Sequence, residues 1–279
     1  MRYHVQGRTG PVVLVINGGP GWSSEHMRGV ADVLARSRCV IRFDQPGTSG
    51  SPVVVDAASV GFDAIVEDIE RLRVGLGIRR WSVLGHSFGG MVAMAYVARH
   101  QAAVAGLVLS APGAPTLDFL TWYQDSLTAR LSGRDQNLAT GLFAHLQADP
   151  ADRSAAADLV RAMAPAYVAD TRQVPLLRAM IDDTTWTVGV ATIVWRSMAD
   201  GAYDLRTALP SIRVPTLVVH GARDALGTEI ARGIATAIPG ATRVEVEGAA
   251  HIIWLDRPTA YWAAVERFLG AIDRAGQAR

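Results

Sequence analysis

The sequence predicts an α/β fold, a mostly parallel central sheet with flanking helices and an inserted helical cap. Three observations carry that expectation. Short β-branched runs alternate with longer helix-patterned stretches. One strand-like run passes straight into a helix-like one through Gly85-His86-Ser87-Phe88-Gly89. From about residue 114 to 207 the alternation stops, and helical patterns with several aromatics replace any clear strand.

In chain order, residues 12–16, 39–43, 81–84, 106–109, 216–219 and 242–246 read as strands, short and rich in valine, isoleucine and leucine as buried parallel strands are. Between the second and third, residues 63–76 place Ile65, Ile69, Leu72 and Leu76 at i, i+4, i+7 and i+11, one apolar stripe of a helix. Glu67, Glu70, Arg71 and Arg73 on its other face read as solvated surface. Residues 90–99 form a second helix, rich in small and unbranched side chains. A last helix, 258–271, carries Pro258 in its first turn, where a missing N–H costs least. The expected organisation is a core of residues 1–113 and 208–279, with a cap subdomain of residues 114–207. The cap supplies Phe119, Trp122, Tyr123, Phe143, Tyr167, Trp186, Trp195 and Tyr203. Trp122, Trp186 and Trp195 are candidates for a substrate pocket, although each could simply pack cap helices together.

With 279 residues, 49% hydrophobic and 19% charged, the chain is long enough for one large domain with an insertion, and its composition argues against disorder. A net charge of +1 offers nothing to a nucleic acid. All 27 basic residues are arginine, so Schiff-base and P-loop chemistries, which need lysine, fall away. Cys39, the only cysteine, reads as a small buried hydrophobe, and no disulfide within the chain is possible. The first seven residues contain no long apolar run, and residues 12–16 are too few to cross a bilayer. A cytoplasmic protein acting on a small molecule, away from membranes, is expected; oligomeric state is not legible.

The strand-to-helix turn makes Ser87 a candidate nucleophile, since Gly85 and Gly89 stand where a Cβ would strike neighbouring backbone. By itself the GxSxG string is short enough to be a chance match in a chain with 27 glycines. A serine hydroxyl needs a base, and the base an orienting acid. In an open parallel sheet such groups collect just beyond the carboxyl ends of strands. Asp224 follows the run 216–219 and His251 the run 242–246, so both are where the acid and base belong. The other six histidines are weaker candidates. His86 neighbours the serine but is expected to point away, His220 reads as a satisfied core histidine, and His4, His26, His100 and His145 lie elsewhere. Two amides must receive the oxyanion, and Gly19, in Asn17-Gly18-Gly19-Pro20-Gly21, and Phe88 are the candidates. A plain turn is the blander reading of that glycine loop. No metal and no organic cofactor is required.

Together these segments resemble the proline iminopeptidase branch of the α/β-hydrolase superfamily. Asn17-Gly18-Gly19-Pro20-Gly21 is similar to that branch's His-Gly-Gly-Pro-Gly loop, with Asn17 in place of histidine. Asp44 to Ser51 is similar to its Asp-Gln-Arg-Gly-x-Gly-x-Ser segment, with Pro46 in place of arginine. Residues 214–224 and 248–251 resemble the usual surroundings of the acid and the histidine. The resemblance implies an α/β-hydrolase fold and a serine hydrolase cleaving an ester or amide through an acyl-enzyme. It also implies cap glutamates for a substrate's free amino terminus, yet no glutamate occurs between Glu70 and Glu229; Asp182 or Asp183 could stand in. Carbon–carbon or lactone hydrolysis, cofactor-free peroxidation, cyclisation and non-catalytic ligand binding are the alternatives on the same framework.

Overall fold

The computed structural model describes residues 1–48, 56–182 and 186–277. Its strands are β1 (Tyr3–Gln6), β2 (Val12–Ile16), β3 (Cys39–Phe43), β4 (Trp81–His86), β5 (Val104–Ser110), β6 (Thr216–Gly221) and β7 (Thr242–Val246). They form one sheet in the order β1-β3-β2-β4-β5-β6-β7, parallel from β3 to β7, with β1 antiparallel at the edge. After β2 the chain steps outward to β3, then back across to β4 on the other side. The crevice above β2 and β4 is thus the switch point where open sheets bind ligands.

All six expected strands are present, and three are longer than the sequence suggests. β4 runs on to His86, β5 starts at Val104 and ends at Ser110, and β6 reaches Gly221, because ladder partners hold these residues: His86 pairs Ser110 and Gly221 pairs Val246. β1 was not legible. Its burial alternates between exposed and half-buried, and its residues are held by register with β3, Tyr3 opposite Phe43, rather than by an apolar run of their own. Cys39 is half-buried at the start of β3, not fully buried.

The helices are α1 (Arg28–Leu34), α2 (Ala57–Val60), α3 (Phe62–Gly75), α4 (Phe88–His100), α5 (Leu120–Thr128), α6 (Gly133–Ala148), α7 (Arg153–Met163), α8 (Val174–Asp182), α9 (Val188–Asp200), α10 (Thr228–Ala237), α11 (Ile253–Asp256) and α12 (Pro258–Gln277). α3 and α4 cover one face of the sheet and share its core with Leu14, Ile16, Val83 and Leu107. On the other face α1 and α12 pack on Val13, Val15, Leu84 and Val108. Ile65 and Ile69 of the α3 stripe are buried, with Leu72 and Leu76 packed alongside. The opposite face is less plain than expected, because Glu70 accepts a hydrogen bond from the hydroxyl of buried Tyr96 at 2.8 Å and pairs with Arg73. α12 continues past residue 271 because Arg38, itself buried, bonds Glu266 at 2.7 Å and Asp273 at 3.0 Å, fixing the extra turns to the sheet.

Between β5 and β6 the chain leaves the sheet and builds the cap from α5 to α9. The cap has its own apolar centre, with Leu127, Leu146, Leu159 and Met163 buried. No helix among the described residues is long and apolar enough to cross a membrane.

Candidate active site

Ser87 stands between β4 and α4 with φ 54° and ψ −120°, a conformation rare for a residue with a Cβ. Such a residue costs on the order of 1–3 kcal/mol and survives only where neighbours over-determine it. Here its N–H donates to the carbonyl of Ser110 at 3.1 Å, and its carbonyl accepts from Gly90 N at 2.9 Å and Gly113 N at 3.0 Å. The flanking glycines are sterically obligatory. A Cβ on Gly85 would lie 2.3 Å from the Gly89 carbonyl oxygen, and one on Gly89 would lie 2.4 Å from that of Ile16. Gly18 presses against the turn from β2, so a Cβ there would come within 3.0 Å of the Ser87 Cβ.

Asp224 and His251 occupy loops beyond β6 and β7 and are both buried. His251 Nδ1 lies 2.8 Å from Asp224 Oδ2, while Asp224 Oδ1 accepts the Leu226 N–H at 3.0 Å. Burial by itself would raise the Asp224 pKa, but the charge and hydrogen bond of His251, with help from His220 and Leu226 N, hold it down at about 2. The carboxylate is therefore an acceptor, and the proton shared by the pair is donated from Nδ1.

The loop after β2 bends at Gly19, with φ 64°, where an added Cβ would lie 2.8 Å from the Trp22 ring. Gln45 braces it from the loop after β3, accepting Gly21 N–H at 2.9 Å through Oε1 and donating through Nε2 to the Gly19 carbonyl at 3.4 Å. Asn17 Nδ2 donates across the same bend to the Trp22 carbonyl at 3.1 Å. Among the described residues no protein acceptor takes the amide of Gly19 or of Phe88, the first residue of α4. Gln45 was legible only as part of a motif; its bracing of the loop was not. Residues 49–51, the end of that motif, lie outside the described residues.

A cavity of about 290 Å³ opens over these groups, lined by Gly19, Ser87, Phe88 and His251 from the core and by apolar side chains of the cap. Trp186 and Trp195 line it. Trp122 does not: it is 42% exposed, and Tyr123, one helical step on, faces the cavity instead. His86 also departs from expectation. Its ring lines the cavity and packs 4.8 Å from the His251 ring, with Nδ1 bonded to the Ser110 carbonyl at 3.1 Å. Burial, then the nearby charges of His251 and His26, push the His86 pKa well below the usual histidine value, so it stays neutral beside His251. His26, set aside on the sequence with the weaker histidines, joins the lining, and burial lowers its pKa to about 4. His220 is no satisfied core histidine: it is fully buried, neither ring nitrogen has a hydrogen-bond partner, and Nε2 lies 3.7 Å from Asp224 Oδ2.

The Asp182 side chain and Asp183 lie outside what is described. On the cap surface His145, Asp149 and Asp152 bring ligand atoms within 4.8 Å of one another. They are already engaged, Asp152 with His145 and with Ala155 N at the start of α7, Asp149 with Ala151 N.

A profile of the alpha/beta hydrolase fold family matches residues 11–258. A proline iminopeptidase from Heyndrickxia coagulans is 24% identical over 269 residues, covering 94% of this chain and 92% of its own length. Among solved structures, an alpha/beta fold family hydrolase from Bacillus anthracis superposes with a TM-score of 0.77 at 19% identity, covering 95% of this chain and 94% of that one. The enol-lactonase from Burkholderia xenovorans LB400 superposes at 0.71 with 25% identity, covering 96% of each chain.

Proposed function

Because the chain belongs to the alpha/beta hydrolase fold family, we propose that it is a serine hydrolase that cleaves a small, apolar ester through an acyl-enzyme. The observation that carries this reading is the buried Asp224–His251 pair, bonded at 2.8 Å, whose imidazole borders the same cavity as Ser87 on its strained turn. Ser87 Oγ attacks the substrate carbonyl as His251 Nε2 takes its proton. The tetrahedral oxyanion settles between the Gly19 and Phe88 amides, and collapse expels the alcohol, which leaves with the proton from His251. Water, deprotonated by the same nitrogen, then releases the acid and restores the Ser87 hydroxyl. Asp224 holds the imidazole in the tautomer this needs and stabilises the imidazolium between steps.

Two of the similar proteins carry names that point to different bonds, a prolyl peptide and an enol-lactone. The cavity favours the ester or lactone side. Among the described residues no carboxylate lines it, so none of them offers a free α-ammonium a counter-charge, and burying one unpaired is costly. Tyrosine, tryptophan, leucine and methionine side chains instead offer a neutral apolar group a fit, the methionines adjusting to its shape.

The test pairs a fluorophosphonate probe with two substrates, a short-chain aryl ester and a proline arylamide, on wild type and Ser87→Ala. We expect a probe adduct on Ser87, ester turnover, little arylamide turnover, and loss of both labelling and turnover in the variant. Hydrolysis that persists in Ser87→Ala removes the nucleophile assignment, and arylamide turnover that exceeds ester turnover restores the peptidase reading.

A further inference from the structure

We propose that Asp256 is a positioning residue that locks the His251 loop to the cap, so that the cap sets the aim of the imidazole as well as covering the substrate. Asp256 ends α11, five residues beyond His251, and is 5% exposed. Its carboxylate is saturated by main-chain donors. Oδ2 accepts from Ala250 N at 2.8 Å and from Ala169 N at 2.9 Å; Oδ1 accepts from Ala169 N at 3.0 Å and Asp170 N at 3.2 Å. Ala250 is the residue before His251, whereas Ala169 and Asp170 belong to the cap, far earlier in the chain.

The residue on the other side of His251 is tied to the same stretch. Ile252 N donates to the Tyr167 carbonyl at 3.1 Å, and the Tyr167 ring lies 5.6 Å from the His251 ring while lining the cavity. Both peptides that flank the imidazole are thus bonded to residues 167–170, one directly and one through a single carboxylate. The Nδ1 bond to Asp224 restrains the ring about only one of its atoms. The backbone that carries the ring takes its position from the Asp256 clamp. Charge-assisted bonds of this kind are about twice as strong as neutral ones, so the clamp is a stiff link between two parts of the chain that the sheet does not join.

The proposal rests on His251 acting as the base. Asp256→Asn keeps the volume but turns one acceptor into an N–H pair that faces amide donors. Ala169→Pro deletes the cap-side donor that meets both carboxylate oxygens, leaving only the longer Asp170 N–H bond on the cap side and the Ala250 bond on the other. Val168, already extended at φ −118° and ψ 148°, suits a following proline. Each variant is compared with wild type well below its own melting temperature, by ester kinetics, by the rate of fluorophosphonate labelling, and by the downfield NMR resonance of the proton between His251 and Asp224. We expect kcat and labelling rate to fall by about tenfold to a hundredfold, KM to stay close to wild type, and the resonance to broaden or vanish. A folded variant with wild-type kcat, labelling and resonance, whatever its melting temperature, overturns the proposal, leaving Asp256 a purely structural anion. If Asp256→Asn does not fold, Ala169→Pro decides by the same readings. Absence of labelling in wild type instead sinks the reading of Ser87 and His251, so the two failures are distinct.

Discussion

Ser87 adopts a backbone conformation suited to glycine, and that has opposite consequences for stability and for chemistry. Replacing it with alanine keeps the Cβ and the strain, while glycine relieves the strain and loosens the unfolded chain. Ser87→Gly is therefore expected to melt no lower than Ser87→Ala, within about 1 kcal/mol, in paired thermal scans. Both variants should lose turnover by a factor on the order of 10⁶, since nucleophile and base act as a unit. Gly19→Ala makes a separate prediction. Its Cβ would lie 2.8 Å from the Trp22 ring at a φ of 64°, so the loop must shift, and kcat should fall about a hundredfold with KM little changed. A Gly19→Ala enzyme with normal kcat would take Gly19 out of the oxyanion site. Ser87, Asp224 and His251 are candidates on the chain alone because strand-to-helix sterics and strand ends mark them. Nothing local marked His26 or His86, whose approach to His251 depends on how β2, β4 and the β7 loop pack.

At the scale of elements, helical pitch decided which cap aromatics matter. Trp122 and Tyr123 are neighbours in sequence, yet only Tyr123 faces the cavity, because successive side chains on α5 are turned by about 100°. Phe143 of α6 lines the same cavity as Ser87, which places part of the pocket inside the cap, where α6 packs on α7. Phe143→Ala should lengthen the preferred ester chain and Phe143→Trp should shorten it. The ratio of kcat/KM for a long over a short chain is expected to move by about tenfold. An unchanged chain-length profile would place the substrate elsewhere. β1 shows the converse limit: four residues, alternately exposed and half-buried, make a strand only because β3 offers them partners.

Over the whole molecule, burial of neutral histidines makes folding sensitive to acid. His26 has a folded pKa of about 4 against an ordinary 6.5, so between those values the unfolded chain binds the extra proton and stability falls as pH falls. That difference amounts to about 3 kcal/mol by pH 4, and burial of His86 and His220 acts in the same direction. Asp224, an anion held down at about 2 in the fold, extends the loss below its ordinary 3.8. Melting temperature should therefore drop on going from neutral pH towards 4, and the drop should be shallower in His26→Gln. Equal slopes for the two proteins would show that His26 is not kept neutral by its burial.

The chain alone was enough for the α/β class, six of the strands, the helical insertion and the placement of Ser87, Asp224 and His251 at strand ends, because period, turn sterics and strand ends are written over short stretches. The membership of the cavity, the neutral histidine beside His251, the bracing of the Gly19 loop by Gln45 and the Asp256 clamp came only from the folded molecule. Each depends on contact between segments distant in sequence, and on the direction a side chain takes once both are packed. Local pattern records neither.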